Sequence, residues 1–280
     1  MADGTYETLK NPFGNLDYMT LRNTEATTVV NQSIVVSPAI TAVVTEPTNS
    51  KIMLGDVYAD PSLMDKFIAQ LTNQQLADLS GSKRAQIAGG TGGIGGLSDY
   101  GIPSAQTSDG PAGLRLSTHC TAWPVEALLA CTWDVDLIKQ MGIAVGTEAK
   151  LNKVDIWLAP GMNIHRNPLC GRNFEYFSED PLIAGKMAAA LTKGVQSQGV
   201  GVTLKHFAGN NKEVNRSSSD SRITERALRE IYLKGFEIAV KEVSPWCIMS
   251  SYNLINGTET AESYDLLTNI LHGEWVIREW

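Results

Sequence analysis

Short apolar segments that end abruptly in polar residues recur along this chain, and most of them are followed by a segment of helical periodicity. The apolar segments are residues 102–107, 127–132, 154–159, 200–204 and 246–249. A short apolar run bounded by polar residues is typical of a buried strand, and strands that alternate with helices pair in parallel. This alternation restricts the chain to a parallel α/β architecture.

The helices are predicted from apolar residues that repeat at helical spacing. They cover residues 61–79, 134–151, 225–243 and 261–272, and a further helix begins at Asp180-Pro181. Aspartate is a favoured residue before the first helical turn, and proline is favoured within that turn. In the helix over residues 225–243, the residues expected to be buried are Leu228, Ile231, Phe236, Ala239 and Val240.

The polar residues that follow each predicted strand favour a (β/α)8 barrel over an open doubly wound sheet. In a barrel, the functional groups lie at the C-terminal ends of several strands. No glycine fingerprint of a dinucleotide-binding fold follows the first strand, which weakens the open-sheet alternative. Five to six βα units are predicted, and a barrel needs eight. The predicted fold class is therefore α/β, an incomplete TIM-type barrel.

Residues 1–56 differ from the rest of the chain. They are rich in Thr, Val and Asn, and strand-like runs at residues 27–30, 34–36 and 40–44 are interrupted by Pro38 and Pro47. This pattern predicts an irregular β-rich arm or linker rather than a βα unit. The predicted division is an N-terminal arm over residues 1–56 and a barrel domain over residues 57–280.

Charge and composition exclude several classes of function. A net charge of −7 argues against nucleic-acid binding, which needs a basic face, and no apolar run is long enough to span a membrane. The N-terminus shows no basic region followed by an apolar block, so a cytoplasmic location is expected. The 4 cysteines lack Cys-x-x-Cys spacing, and free thiols are expected rather than disulfides or a zinc site.

The segment 87–97 contains six glycines and superficially resembles a phosphate-binding loop. It lacks the Gly-Lys-Ser/Thr signature and does not lie between a clear strand and a helix. A mobile loop near the mouth of a site is the favoured interpretation. A phosphosugar-binding barrel enzyme remains an alternative that only this segment supports.

Charged and aromatic residues gather after the predicted strands. The strand-end residues are Asp109, Arg115, Arg166, Arg172, Lys205, His206, Tyr252 and Asn253, with Trp123, Trp133 and Phe174 nearby. Taken alone, Asp109 is also explained as a turn residue, and Lys205-His206 as a structural pair. Together they suit a neutral polyol, because charged groups bond to hydroxyls in fixed directions and a ring stacks on the apolar face of a sugar. The cations among them argue against a metal site.

Four segments carry a resemblance to a known family: residues 108–115, 171–181, 205–211 and 249–257. In this order they resemble the N-terminal barrel domain of glycoside hydrolase family 3, β-glucosidase branch, over about residues 57–275. The resemblance implies retaining hydrolysis of terminal, non-reducing β-linked glucose from small glycosides, without a cofactor. The residues after Phe207, Ala208-Gly209-Asn210, favour the glucosidase or xylosidase branch over the N-acetylglucosaminidase branch.

The resemblance also implies roles for individual residues. Asp109 would hold the O4/O6 side of the glucose, and Met249 and Tyr252 would flank the sugar and the nucleophile. The residues implied for the remaining hydroxyls are Arg115, Arg172, Lys205 and His206.

The chain departs from the family at the catalytic carboxylates. Retaining glycosidases need two carboxyl groups about 5–5.5 Å apart. The family's nucleophile is an aspartate in a Ser/Thr-Asp-Trp segment expected beyond Trp280, and its acid/base glutamate comes from a companion domain. A fragment that lacks both is therefore expected. A non-catalytic sugar-binding or regulatory protein is the alternative from a different class.

A reading-frame change is predicted for the last five residues. Family 3 chains commonly continue after Glu-Trp with Gly-Phe, whereas Val276 follows Trp275 here. Deleting one base from one permitted codon choice for residues 276–280 gives Gly-Phe-Glu-Asn-Gly. Sequencing the gene checks this expectation. If no single deletion opens a frame that reaches Ser/Thr-Asp-Trp, a deliberate truncation or a diverged tail explains the end instead.

Overall fold

The computed structural model describes residues 51–81 and 83–275. The strand-like runs predicted before residue 51 lie outside the described residues, and so do the five residues after Trp275. The predicted domain boundary after residue 56 falls inside the first described helix, α1 (Leu54–Ala59).

The predicted helix over residues 61–79 is interrupted. It is composed of a 3-10 turn (Pro61–Leu63), α2 (Met64–Ala69) and α3 (Asn73–Ser80). The interruption has a local cause at Thr72, whose hydroxyl accepts a hydrogen bond from the Gln75 amide at 3.2 Å and so begins a new helix. Together with α1, these helices bury a small apolar cluster around Val57, Phe67 and Leu71.

The main sheet has five strands. In spatial order they are β1 (Gly92–Leu97), β2 (Ile102–Ser108), β3 (Ile156–Trp157), β4 (Gly201–Phe207) and β6 (Cys247–Ser250). The first of these strands is antiparallel to the second, and the other four are parallel to one another. A second sheet contains β5 (Asp220–Ser221), β7 (Leu254–Ile255) and β8 (Thr258–Glu259). The main sheet curls as part of an α/β barrel wall, which confirms the predicted fold class.

The second half of the glycine-rich segment is a strand, whereas a mobile loop was predicted for the whole segment. Residues Gly92–Leu97 form β1, and Gly93 pairs with Gln106 in β2. Glycine is needed here for close approach: at Gly95 φ is +71°, and an added Cβ would lie 2.6 Å from the Pro103 carbonyl oxygen.

The strand predicted at residues 127–132 is wrong, because Glu126–Ala130 form the short helix α4. Periodicity cannot distinguish a short buried strand from a buried helical turn, and alanine and leucine are strong helix formers. The main sheet consequently has four parallel strands among the described residues, fewer than the five to six βα units expected. The longer helices that cover the sheet are α5 (Val135–Leu151) and α6 (Pro181–Gln196).

Two other helical predictions had opposite outcomes. The predicted helix start at Asp180-Pro181 is confirmed, since the Asp180 carboxylate accepts a hydrogen bond from the Leu182 amide at 2.7 Å.

The prediction that Ile231 is buried is wrong. Ile231 is 39% exposed, and Leu233 is buried instead. A π-helical segment (Leu228–Tyr232) lies between α7 (Glu225–Ala227) and α8 (Lys234–Val243), and its wider turn changes which residue faces the core.

The apolar core lies between the sheet and its helices. Behind β4, the Phe207 ring packs edge-on against Phe236 and Trp275, with centroid distances of 5.2 and 5.8 Å. The two long helices α5 and α6 cross closely at Gly142 and Gly194, where an added Cβ on Gly194 would lie 2.2 Å from the Lys139 carbonyl oxygen. The absence of side chains at this crossing sets the helix separation.

All four cysteines are free, as predicted. No helix between residues 51 and 275 has the length and apolar character needed to cross a membrane. Within the described part of the chain, no group of three or more His, Cys, Asp or Glu side chains is placed to hold a metal ion.

We predict that Gly194→Ala destabilises the fold by about 1–3 kcal/mol, because the new methyl group forces α5 and α6 apart. Urea unfolding of purified protein measures the change in the free energy of unfolding. Gly55→Ala is the matched control, since an added Cβ there meets nothing within 4 Å and alanine favours the helix. Equal stability of wild type and Gly194→Ala would contradict the close crossing.

Candidate functional site

A cavity of about 660 Å³ opens at the C-terminal ends of the parallel strands. Asp109 follows β2, Lys205 and His206 belong to β4, and Met249 belongs to β6. The structure brings all seven predicted substrate-binding residues to this cavity: Asp109, Arg115, Arg172, Lys205, His206, Met249 and Tyr252. Parallel strands carry these side chains to one edge of the sheet, because their C-terminal ends point the same way.

A buried ion pair joins two of these strand ends. The Lys205 ammonium donates a hydrogen bond of 2.6 Å to Asp109 Oδ1, and the Lys205 side chain is only 2% exposed. The Thr91 hydroxyl accepts a hydrogen bond of 2.8 Å from the Asp109 amide, which fixes the start of the turn. Arg115 is more exposed and lies 3.6 Å from the other Asp109 carboxylate oxygen.

Asp109 is ionised despite its partial burial. Burial alone raises its pKa, but the charge and hydrogen bond of Lys205 outweigh that effect and hold the pKa below its usual value. The pair therefore presents an anion and a cation to the same cavity. An ammonium group offers hydrogen-bond donors and a carboxylate offers acceptors, so the pair can bond to a hydroxyl in both directions.

Arg172 also lines the cavity. Its guanidinium donates to Glu175 in the same loop and lies 3.9 Å from Glu213. Its Nη2 atom lies 3.0 Å from the His206 Nε2 atom. The 3-10 turn Asn173–Glu175 holds the arginine and its carboxylate partner close together. The hydrogen bond to Glu175 fixes the plane of the Arg172 guanidinium, because the N–H donors of this planar group point in fixed directions.

His206 is buried and neutral. Burial is the main cause that lowers its pKa, to about 2, and the cations Arg172 and Lys205 lower it further. Its Nδ1 atom lies 3.3 Å from the Tyr176 hydroxyl and 3.4 Å from Asn163 Oδ1. The imidazole is therefore a neutral hydrogen-bonding group at neutral pH.

Four of the other residues proposed from sequence lie away from the cavity wall. Arg166 donates to the Tyr232 hydroxyl at 2.8 Å, and Asn253 is buried with its amide against the Ala208 carbonyl at 3.2 Å. Trp133 is 78% exposed, and Trp123 packs against the core. Phe174 is the predicted aromatic residue that does line the cavity.

Several residues of the cavity wall were not predicted from the sequence. Arg216 lies over the Tyr252 ring at 4.7 Å and donates to Glu213 at 3.0 Å. A signal was present, because Arg216 follows the 205–211 segment closely in the sequence. The additional lining residues are Thr91, Leu158, Glu175, Arg216, Ser250, Ser251, Glu259 and Ala261.

Glu126 is a further acid that the sequence analysis missed. It begins α4, is fully buried, and neither of its carboxyl oxygens has a hydrogen-bond partner among the described residues. Burial raises its pKa to about 8, and the nearby negative charge of Glu175 adds to the effect. Glu126 is therefore protonated at neutral pH and adds no negative charge beside the Arg172–Glu175 pair.

The arrangement is suited to holding a neutral, hydroxyl-rich molecule. Donors and acceptors both line the cavity, and Phe174 and Tyr252 add ring surface. Two of the cavity's acids, Asp109 and Glu175, are each bonded to a cation. Such bonds fix the positions of both carboxylates before any ligand binds.

Comparison with known proteins gives a family match over most of the chain. Residues 72–277 match the model of the Glycosyl hydrolase family 3 N terminal domain. The chain is 45% identical to "Beta-glucosidase A" of Butyrivibrio fibrisolvens over 303 aligned positions, which cover 100% of this chain and 36% of that protein.

Solved structures of β-glucosidases are similar to this chain as well. A structure of a novel β-glucosidase from Paenibacillus barengoltzii has a TM-score of 0.79 at 46% identity, covering 82% of this chain and 26% of that one. A structure of β-glucosidase 3B from Thermotoga neapolitana in complex with glucose has a TM-score of 0.74 at 45% identity, covering 77% and 33%. This chain thus spans about a third or less of the lengths of these relatives.

We predict that Glu126→Gln changes how stability depends on pH. The folded-state pKa of Glu126 is about 8, above the usual value of 4.5, so the folded state binds the proton more tightly than the unfolded state. The stability that Glu126 contributes is complete below about pH 4.5 and is lost as pH rises towards 8. Glutamine stays neutral, so the variant should gain stability relative to wild type across this window.

Urea unfolding at a series of pH values between these limits measures the difference. Glu242→Gln is the control, because Glu242 is half-exposed and pairs with Lys186 at the surface. Stability curves of wild type and Glu126→Gln that run parallel over the whole window would contradict a buried, protonated Glu126.

Proposed function

This chain belongs to glycoside hydrolase family 3, and on that premise we propose that its cavity binds the terminal glucose of a β-glucoside. The matched region is the N-terminal domain of that family, and the fold is an incomplete (β/α)8 barrel. The activity proposed for the whole protein is retaining hydrolysis of terminal, non-reducing β-linked glucose, with β-xylosidase activity as the alternative within the family.

The buried Lys205–Asp109 pair is the observation that carries the proposal. A fully desolvated ammonium is costly to bury, and a paired carboxylate with remaining acceptor capacity offsets that cost. The two groups lie at the ends of β4 and β2, where a ligand entering the cavity reaches both. Vicinal hydroxyls match such a pair, since each hydroxyl donates one hydrogen bond and accepts others.

The other cavity residues have complementary roles in the proposal. Arg172, oriented by His206 Nε2, and the exposed Arg115 bond to the hydroxyls that Lys205 and Asp109 leave free. Met249 and Tyr252 border the sugar on the β6 side. The Arg216 guanidinium over the Tyr252 ring holds that ring in place.

Hydrolysis requires a catalytic pair that we assign outside these 280 residues. A retaining mechanism uses one carboxylate as nucleophile and a second carboxyl group as acid/base. Asp109 and Glu175 are bonded to Lys205 and Arg172, so neither is a free nucleophile in the cavity. We propose that the nucleophile and a companion domain with the acid/base complete the site, and that this chain supplies the glucose-binding residues.

Calorimetry tests the binding proposal directly. Glucose should bind the purified chain at a single saturable site, and Lys205→Met should weaken binding by about 10- to 100-fold, because a charged hydrogen bond is worth about 1.5–3 kcal/mol. Lys186→Met is the matched control: it removes a surface ammonium that pairs with Glu242 and leaves the cavity unchanged. Equal affinity of folded Lys205→Met and wild type would contradict the assigned role.

An assay with an aryl β-glucoside separates the proposal from its rival. We expect no release of aryl alcohol by the chain alone, because both catalytic carboxylates are missing from it. Turnover at an ordinary enzymatic rate would overturn that assignment. A protein produced with the family's nucleophile segment and companion domain should hydrolyse the substrate, whereas a purely regulatory sugar-binding protein should remain inactive.

A further inference from the structure

Asn163 makes three contacts with one residue of the cavity wall. Its Oδ1 atom accepts a hydrogen bond of 2.8 Å from the His206 amide, and its Nδ2 atom donates one of 2.9 Å to the His206 carbonyl. The same Oδ1 lies 3.4 Å from His206 Nδ1. Asn163 is itself only 2% exposed and does not line the cavity.

Only one tautomer of His206 satisfies all of its neighbours. Arginine can donate hydrogen bonds but cannot accept them, so the 3.0 Å contact from Arg172 Nη2 requires an acceptor at His206 Nε2. A neutral imidazole with an acceptor at Nε2 carries its proton at Nδ1. The Nδ1 proton then faces two oxygens, Asn163 Oδ1 and the Tyr176 hydroxyl.

We propose that Asn163 is a positioning residue that fixes the orientation of His206 and, together with Arg172, its Nδ1–H tautomer. The paired bonds to the backbone amide and carbonyl hold the residue at the end of β4. The amide oxygen accepts on the Nδ1 side of the ring, which leaves the Nε2 lone pair directed to Arg172 and the cavity. His206 Nε2 therefore accepts from Arg172 and presents no donor, so the ring orients the guanidinium at the cavity wall.

Asparagine is suited to this position and aspartate is not. A carboxylate could accept from both N–H groups but could not donate to the His206 carbonyl. It would also place a negative charge beside the imidazole, which favours the imidazolium form. The charged groups that already act on His206 are Arg172, Lys205, Asp109 and Arg216, and three of these four are cations.

Nitrogen-15 NMR of chain labelled at histidine tests the tautomer without any ligand. The His206 signals are assigned by their loss in His206→Gln. We expect a protonated Nδ1 and an unprotonated Nε2 that do not change between about pH 5 and about pH 8. A proton found on Nε2 in the wild-type chain would overturn the proposal, whatever the behaviour of the variants.

Two substitutions of Asn163 test its part in this arrangement. In Asn163→Asp, protonation of His206 on acidification should begin at a higher pH than in wild type, because the new charge raises the pKa of the imidazole. In Asn163→Ala, the His206 signals should show a mixture of tautomers. The same changes at Asn152, which bonds to Thr118 and Glu148 away from the cavity, are the controls and should leave His206 unaffected. Unchanged His206 signals in both folded Asn163 variants would contradict the proposal.

A measurement of glucose affinity tests whether the positioning of His206 by Asn163 serves the proposed function, on which this role rests. Glucose affinity should fall about tenfold or more in Asn163→Ala, in line with the loss of one well-placed hydrogen bond, and should be unchanged in Asn152→Ala. If wild type shows the expected tautomer but binds no glucose, the function is wrong and the role of Asn163 stands. If glucose binds equally to wild type and Asn163→Ala, His206 positioning does not serve binding.

Discussion

The ion pair between Lys205 and Asp109 is the interaction on which the rest of the site depends. An ammonium that is 2% exposed is stable only beside a permanent anion, so β2 must end within bonding distance of β4. These strands are not neighbours: β3 lies between them. The pair therefore spans the curled sheet and fixes the spacing of three consecutive strand ends around the cavity.

Around this pair, charge is balanced residue by residue. Arg172 bonds to Glu175, and Arg216 bonds to Glu213, while His206 and Glu126 remain neutral because burial disfavours their charged forms. A cavity built this way contains fixed dipoles and paired charges rather than one dominant sign. Such a lining favours a neutral ligand with many hydroxyl groups over a phosphate or a metal ion.

Membership of family 3 connects this lining to a chemistry. Glycoside hydrolysis places two carboxyl groups on either side of the scissile bond and binds the sugar ring firmly enough to distort it. The residues described here suit the binding part of that task, since Lys205, Asp109 and Arg172 are held in position before a ligand arrives. A network formed in advance costs less to reorganise when the ligand binds.

The sequence by itself determined the family, the parallel α/β class and the seven residues that meet in the cavity. The sequence alone shows the alternation of apolar and helical segments and the four ordered motifs, because both are local features of the chain. Tertiary packing decided the rest. Glu126–Ala130 form a helix where a strand was predicted, and Gly92–Leu97 form a strand where a loop was predicted, because the local pattern of a short segment fits more than one structure and its packing partners select between them. The contacts of Asn163 with His206 and the complete burial of Glu126 also arise only on folding, since burial and proximity determine charge state and tautomer, and residue type alone encodes neither.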